Sequence, residues 1–88
     1  MSELRGYMKI KVKFFSSHRD AVGEKEIEVE IKENSSLNDL LEMLSEKYPK
    51  LKELKGYTVL SLNHRYADGN SRMKEGDEVA IFPPLEGG

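Results

Sequence analysis

The sequence predicts an α+β domain in which about four to five strands form a mixed sheet and one main helix packs across it. Three observations support this fold class. Two early segments alternate apolar and charged residues, one later segment carries an apolar stripe at helical spacing, and the rest returns to short strand-forming runs between turns. Hairpin strands followed by a helix and further strands are typical of an α+β domain.

The first two strands are predicted at 8–14 and 26–31, where apolar residues alternate with lysines in one segment and with glutamates in the other. An antiparallel pairing with Lys13 opposite Glu26 gives every lysine a facing glutamate. The same register pairs Val12 with Ile27, Ile10 with Val29 and Met8 with Ile31 on the inner face. A slip by one residue would bury charge, so we expect this hairpin, with a long loop over 16–23.

The main helix is predicted to begin at Ser36, because Ser36 and Asp39 have the spacing of a capping box. Pro49 ends the helical pattern, and 50–56 is predicted to be a polar connection. The apolar stripe, which we expect to pack on the inner face of the sheet, consists of Leu37, Leu40, Leu41, Leu44 and Tyr48.

The remaining strands are predicted at 58–62, 65–67 and 78–82, with turns at Asn63-His64, Asp68-Gly69 and 75–77. Val79 and Ile81 take inward positions on the last strand. The first and last strands are plausible parallel neighbours at the centre of the sheet, which is the β-grasp, or ubiquitin-like, arrangement. A split ferredoxin-like arrangement competes with it but requires a second good helix.

Composition narrows the function classes. A chain of 88 residues that is 38% hydrophobic can bury one modest core, so we do not expect it to be catalytic alone. The absence of cysteine excludes disulfides, thiolate metal sites and a cysteine nucleophile. No apolar run reaches the roughly 18 residues of a membrane span, and we expect a soluble, cytoplasmic protein with no membrane partner.

Neither a metal site nor a nucleic-acid site is predicted. His18 and His64 lack a second ligand at metal spacing, so both are interpreted as surface histidines. The lysines of the first strand are faced by glutamates, no aromatic residues are interleaved for stacking, and the net charge is −2.

The C-terminal residues have the most unusual chemistry. We divide the chain into a loose leader (1–7), a folded domain (8–82) and a flexible Gly-Gly tail (83–88). Gly87 and Gly88 could enter a channel too narrow for side chains, and Gly88 would present a free α-carboxylate there. Pro83 and Pro84 fix φ and lack N–H donors, which directs the tail away from the last strand.

Alternation also places two aromatic residues, Phe15 and Phe82, on the face opposite the core, and Tyr66 on the short strand is a candidate to join them. Exposed aromatic rings beside the root of the tail indicate a docking patch. The alternative is that these rings cap the edge of the core.

The chain resembles the MoaD-type sulfur carriers, the small subunits of molybdopterin synthase within the ubiquitin-like sulfur carriers. The resemblance is carried by 9–15, by Leu62-Asn63, and by 75–84 leading to Gly87-Gly88. It extends from Met8 onward. Leu62 and Tyr66 stand where the family commonly has valine and leucine, a difference that concerns partner identity more than mechanism.

The resemblance implies a carrier cycle driven by other proteins. An adenylating enzyme related to ubiquitin activators would use ATP to convert the Gly88 carboxylate into an acyl-adenylate. A sulfur donor enzyme would replace AMP, and the thiocarboxylate would enter the large synthase subunit and give its sulfur to a pterin precursor. The chain itself would bind no cofactor. The resemblance assigns tail entry to Gly87; with it, we expect partner contacts at Phe15, Tyr66, Phe82, Pro83, Pro84, Leu85 and Glu86.

Three alternatives stay open. A protein modifier would use the same activated Gly88 to form an isopeptide with a lysine, and a carrier for thiazole synthesis would share the tail chemistry. The Phe-Pro-Pro sequence that leads into the tail favours the pterin pathway over the thiazole one. A simple binding module, in which Gly-Gly is incidental, would keep its partner after Gly88 is deleted.

Overall fold

The computed structural model describes residues 6–84, which form a five-stranded mixed sheet with helices packed across its inner face. The elements in chain order are β1 (Tyr7–Phe14), α1 (Ser16–Val22), β2 (Glu26–Lys32), α2 (Leu37–Lys47), α3 (Pro49–Glu53), a single 3-10 turn (Lys55–Tyr57), β3 (Val59–Leu62), β4 (Arg65–Ala67) and β5 (Glu78–Phe82). The strand order is β2-β1-β5-β3-β4. β1 and β5 are parallel neighbours and β1 and β2 are antiparallel, as predicted, although β1 begins one residue earlier than expected. β3 is antiparallel to both β4 and β5.

The predicted register of the β1–β2 hairpin is confirmed. Lys13 lies opposite Glu26, and the inner pairs are Val12 with Ile27, Ile10 with Val29 and Met8 with Ile31. The ion pair that forms is diagonal, with Lys11 Nζ 3.7 Å from Glu26 Oε2. The lysines of β1 and the glutamates of β2 therefore favour this register because they lie on the same face of the hairpin. The directly facing side chains need not form ion pairs for this effect.

The prediction of a loop over 16–23 is wrong, because this segment contains helix α1. The helix ends at Gly23, whose φ of 87° is in the left-handed region and whose N–H donates to the Arg19 carbonyl at 2.7 Å. Ser16 also has a positive φ, 53°, where the chain turns from β1 into the helix. The short, polar helix has no side-chain cap, so its sequence gave little helical signal.

Helix α2 begins with the predicted capping box. The Asp39 N–H donates to Ser36 Oγ at 3.2 Å, and the Ser36 N–H donates to Asp39 Oδ2 at 2.9 Å. That second hydrogen bond is the main reason why the pKa of the Asp39 carboxyl is lowered. The buried face of the helix contains Leu37, Leu40, Leu41 and Leu44, and Tyr48 is partly buried against the same core.

The prediction of a polar connection over 50–56 is also wrong. Pro49 ends α2 but occupies the first turn of α3, a position for which its fixed φ suits it. Leu51 on this short helix is fully buried in the core. A helix with only one buried apolar residue lacks the periodicity that sequence reasoning needs.

The core lies between the inner face of the sheet and the helices. It includes Met73, a residue outside every regular element, which the sequence did not single out. The buried residues contributed by β1 and β5 are Met8, Ile10, Val12, Phe14, Val79 and Ile81. Packing of these residues thus fixes β1 and β5 in the sheet. The residues on the outer face and at the ends of the two strands are not part of this core.

Candidate functional site

Three aromatic side chains meet on the outer face of the sheet, at the end where β1 and β5 both finish. The Phe15 and Phe82 ring centroids are 6.3 Å apart with an interplanar angle of 84°, and the Tyr66 and Phe82 centroids are 6.2 Å apart. These are the separations of interacting aromatic pairs. We refer to Phe15, Tyr66 and Phe82 as the aromatic patch.

The backbone explains why these rings point outward. β1 and β5 are parallel, so both reach their last residue at the same edge, and the Phe15 N–H donates to the Ile81 carbonyl at 3.1 Å. Phe82 alternates with the buried Ile81, and Tyr66 pairs with Ser61 on the adjoining strands. The patch therefore follows from strand alternation.

The patch is open to solvent. Tyr66 is 75% exposed and Phe15 is 47% exposed, whereas Phe82 lies between them and is half-buried. A depression of about 290 Å³ adjoins the two rings nearest β3, and it is lined by Ser61, His64, Tyr66 and Phe82. The structure thus brings together the three predicted aromatic residues, while their partner-binding role stays a prediction.

The predicted tail residues fall largely outside the described part of the chain. Pro83 and Pro84 follow β5 directly and are half-buried, beside the aromatic patch. Leu85, Glu86, Gly87 and Gly88 lie outside the described residues, as do residues 1–5 of the predicted leader. Tyr7, which we assigned to the leader, belongs to β1.

A row of charged groups lies next to the patch on the outer face. Glu78 Oε2 is 3.3 Å from Lys13 Nζ and 3.6 Å from His64 Nε2. The carboxylate of Glu78 thus links the cation of β1 to the turn between β3 and β4. Such a polar rim around aromatic anchors is the usual composition of a protein-binding surface.

Asn63 holds the start of β5 against the β3–β4 turn. Its side-chain oxygen accepts from the Glu78 N–H at 2.9 Å, and its Nδ2 donates to Asp77 Oδ1 at 3.0 Å. Asn63 and His64 have φ values of 52° and 72°, as a tight hairpin turn requires. From the sequence, Asn63 was predicted only as a turn residue and as part of the Leu62-Asn63 resemblance. In the structure its side chain also holds the start of β5 in place beside the aromatic patch.

The prediction that His18 is a surface residue is wrong. Its side chain is fully buried between α1 and the segment before β3, and its Nε2 is 2.7 Å from Thr58 Oγ1. Because the Thr58 hydroxyl donates its only proton to the Leu54 carbonyl at 2.6 Å, Nε2 must carry the proton of the His18 bond. Burial lowers the pKa of His18, which favours this neutral form. The prediction failed because the segment that contains His18 was interpreted as a loop, whereas it forms helix α1.

Metal ligands and membrane-spanning helices are the other features that could indicate a function. Within residues 6–84, no three His, Asp or Glu side chains are grouped as a metal site would need. In the same part of the chain, every helix is too short or too polar to cross a bilayer. The aromatic patch and its charged rim are therefore the surface whose composition most resembles a functional site.

Comparison with solved structures identifies the fold. The chain superposes on the solution structure of a Haloferax volcanii protein with a TM-score of 0.82 and 29% identity, over 94% of this chain and 89% of that one. It also matches the complex of subunits 1 and 2 of molybdopterin-converting factor from Helicobacter pylori, with a TM-score of 0.65 and 30% identity over 92% of this chain and 100% of that one. Ubiquitin from Caldiarchaeum subterraneum matches at 0.64 with 20% identity, over 94% and 100% of the chains. The fold is a ubiquitin-like β-grasp.

Sequence comparison then gives the family. The ThiS family model matches residues 12–88. The chain is 36% identical over 83 residues to the molybdopterin synthase sulfur carrier subunit of Chlamydomonas reinhardtii, covering 92% of this chain and 100% of that one. It is 29% identical over 92 residues to small archaeal modifier protein 3 of Haloferax volcanii, again covering 92% and 100%. This chain belongs to the ThiS family.

Proposed function

We propose that the protein is the sulfur carrier subunit of a molybdopterin synthase and that its working group is the α-carboxylate of Gly88. The observation that carries the proposal is the family match, which includes Gly87 and Gly88 and extends back through the domain to residue 12. The relative from Chlamydomonas reinhardtii, named for this role, supports it along its whole length. The aromatic patch at the root of the tail supplies a surface for the partners such a carrier needs.

Activation of the tail is assigned to a partner enzyme. A carboxylate is a poor electrophile until one of its oxygens becomes a good leaving group. An adenylating enzyme of the ubiquitin-activating type would join the Gly88 carboxylate to AMP from ATP and release pyrophosphate. Positioning and charge stabilisation for that step belong to the larger enzyme. This chain binds neither ATP nor another cofactor in the proposed cycle.

Sulfur loading and delivery follow from the same acyl group. The sulfur donor enzyme supplies sulfur at the oxidation state of sulfide. This sulfur attacks the carbonyl carbon of the acyl-adenylate and expels AMP, which leaves a thiocarboxylate on Gly88. In the large synthase subunit the thiocarboxylate sulfur attacks an electrophilic carbon of the pterin precursor and displaces an oxygen leaving group from that carbon, which forms an acyl–sulfur–pterin intermediate. Water then cleaves the acyl–sulfur bond, so that the sulfur stays on the pterin and the carboxylate returns to Gly88. The cycle is placed in the cytoplasm.

The aromatic patch is proposed to hold the partner while the tail reaches its active site. Five residues lie between Phe82 and Gly88, and the six Cα–Cα steps that join them span at most about 22 Å when the chain is fully extended. A partner that covers Phe15, Tyr66 and Phe82 can therefore accept the tail only in a pocket within that radius. The two-subunit complex from Helicobacter pylori supports an assembly of this kind.

A second candidate function is protein modification through an isopeptide bond to Gly88. The similarity to small archaeal modifier protein 3 favours it, and the activation step is shared. The two functions differ in the nucleophile that takes the Gly88 acyl group from AMP. That nucleophile is a lysine amine for a modifier and sulfur for a carrier. Covalent conjugates in lysates of the native organism, abolished when Gly88 is deleted, would indicate that the chain acts as a modifier.

Mass spectrometry tests the proposed carrier function. The protein is incubated with the adenylating enzyme of its own organism, ATP and sulfide, and its C-terminal peptide is analysed. We expect one oxygen of that peptide to be replaced by sulfur, and no change in a matched variant that lacks Gly88. An unchanged peptide, in a reaction where the enzyme demonstrably consumes ATP on this protein, would contradict the proposal.

A further inference from the structure

A second concave surface, a groove, lies on the side of the aromatic patch away from Tyr66. It opens between the end of β1, helix α1 and the beginning of β2, and its volume is about 320 Å³. Its lining residues are Lys13, Phe14, Phe15, Arg19, Lys25 and Glu26. We refer to this feature as the basic groove. Phe15 belongs to both surfaces, since it lines the groove and contacts Phe82 in the patch.

The charges of the basic groove are not balanced within the described part of the chain. Lys13 is 3.3 Å from Glu78, and the groove carboxylate of Glu26 is 3.7 Å from Lys11. Within residues 6–84, neither Arg19 nor Lys25 has a carboxylate within ion-pair distance. Both side chains are exposed. A chain whose net charge is −2 thus has two cations without ion-pair partners among the residues that line one concavity.

The fold holds these two residues in place. The Phe14 N–H donates to the Lys25 carbonyl at 2.9 Å, and the Gly23 N–H donates to the Arg19 carbonyl at 2.7 Å. The left-handed Gly23 reverses the chain between them. Because the backbone at both positions is fixed, less ordering is required when a ligand binds there.

We propose that the basic groove receives an acidic segment, with neighbouring carboxylates, of the protein that covers the aromatic patch. The inference rests on the proposed function and adds a second anchoring point to it. Charge complementarity selects the occupant: Arg19 and Lys25 have no ion-pair partners within residues 6–84, and the groove is continuous with the aromatic patch through Phe15. Nucleic acid is disfavoured, because Glu26 lies in the groove and Glu28 and Glu30 follow it along β2 on the outer face.

Charge pairs at the edge of an interface act mainly on the rate of encounter and on register. The aromatic patch would supply most of the binding free energy, while Arg19 and Lys25 would attract the partner and fix its orientation. Binding should therefore become weaker as salt increases, and the part of that dependence due to the groove should disappear with the two cations.

Binding to the large molybdopterin synthase subunit of the same organism tests this inference. The variants are the double substitution Arg19→Gln/Lys25→Gln and the matched control Lys50→Gln/Lys52→Gln, which removes the same charge from α3. Circular dichroism establishes that each variant is folded. In about 50 mM salt we expect the groove variant to bind roughly three- to tenfold more weakly than the unaltered protein and to lose much of this difference at about 300 mM. The α3 variant should bind like the unaltered protein.

Other outcomes would overturn the inference. Equal weakening by both double variants would mean that net charge alone is responsible, and an unaffected groove variant would leave the groove without a role. A labelled DNA oligonucleotide that binds the unaltered protein but not the groove variant would reassign the site to nucleic acid. The variant Phe82→Ala separates the two proposals: if the groove variant is unaffected but Phe82→Ala weakens binding, only the groove inference fails. If the unaltered protein does not bind the large subunit at all, both fail.

Discussion

At the scale of single residues, His18 is the side chain whose burial has the clearest chemical consequence. It joins α1 to the end of the 3-10 turn through the hydrogen bond from Nε2–H to Thr58 Oγ1, which is itself tied to the Leu54 carbonyl. Ser17 Oγ lies 3.4 Å from the other ring nitrogen. Protonating the ring would place a second N–H donor and a charge in a site built for the neutral form.

The protein should therefore lose stability in mildly acidic solution. Burial lowers the pKa of folded His18 below its ordinary value of 6.5, so the unfolded chain binds a proton at a pH where the fold does not. The stabilising contribution of neutral His18 is fully present above 6.5 and is lost as the pH falls from there towards the folded pKa. Urea unfolding between pH 7.5 and about 5.5 measures this as a falling free energy of unfolding.

Two variants identify the residue responsible for this fall. His18→Gln should remove it, since glutamine does not titrate, whereas the matched variant His64→Gln should retain it, because it leaves the buried His18 site unchanged. Asp39 and Glu42 act in a separate range: hydrogen bonds from Ser36 and Lys55, respectively, lower their pKa values, so their contributions are lost only below about pH 4.5. An equal fall in the unaltered protein and in His18→Gln would refute the assignment.

At the scale of secondary-structure elements, the N-terminus of α2 shows how the chain satisfies the backbone donors of a helix. The Leu37 N–H donates to the Ser71 carbonyl, the Asn38 N–H to the Gly69 carbonyl and the Asp39 N–H to Ser36 Oγ. Each of these groups would otherwise lack an intrahelical partner. The segment between β4 and β5 is thereby fixed against the helix, and it brings Met73 into the core.

Replacing Ser36 by alanine should destabilise the protein by about 1 kcal/mol, because the Asp39 N–H loses its acceptor. For a domain of this size that corresponds to a decrease in Tm of roughly 4–8 °C. Thermal unfolding followed by circular dichroism measures it. Ser36→Asn is the matched control, since asparagine caps helices about as well as serine. Equal losses in both variants would show that capping is not the function of the Ser36 side chain.

Elements with a repeating chemical pattern were predictable from the sequence. The lysines of β1 and the glutamates of β2 determined the hairpin register, and Ser36 with the leucine stripe determined α2. Helices α1 and α3 were not predictable, because each is short and has only one fully buried residue, His18 in α1 and Leu51 in α3, so neither shows a repeating apolar pattern. Their formation depends on tertiary packing against the sheet, which a local pattern does not contain.

The candidate site was predictable to a similar extent. Alternation was sufficient to place Phe15 and Phe82 on the outer face, because the inward positions of their strands were already assigned, and the structure adds Tyr66, which the sequence offered only as a candidate. The basic groove was not foreseen, since Arg19 and Lys25 approach Phe15 only when the segment after β1 is helical. Because helix α1 was not predicted, neither the burial of His18 nor the basic groove could be predicted from the sequence.

At the scale of the whole molecule, the sheet separates two tasks between its faces. The inner face and the helices form the core, whereas the outer face carries paired charges that end in the aromatic patch beside the last strand. The last strand is also central in the sheet, flanked by β1 and β3. The tail therefore continues from the central strand of the sheet, so its attachment point is held in place on both sides when a partner binds the aromatic patch.

The measurement that tests the central claim most directly is a single-turnover reaction. The thiocarboxylate form of the protein is mixed with the large molybdopterin synthase subunit and the pterin precursor, and the C-terminal peptide is followed by mass spectrometry. We predict that the sulfur on Gly88 is replaced by oxygen as the pterin dithiolene forms, in proportion to the carrier consumed. A thiocarboxylate that stays intact while a known carrier subunit is consumed under the same conditions would contradict the account.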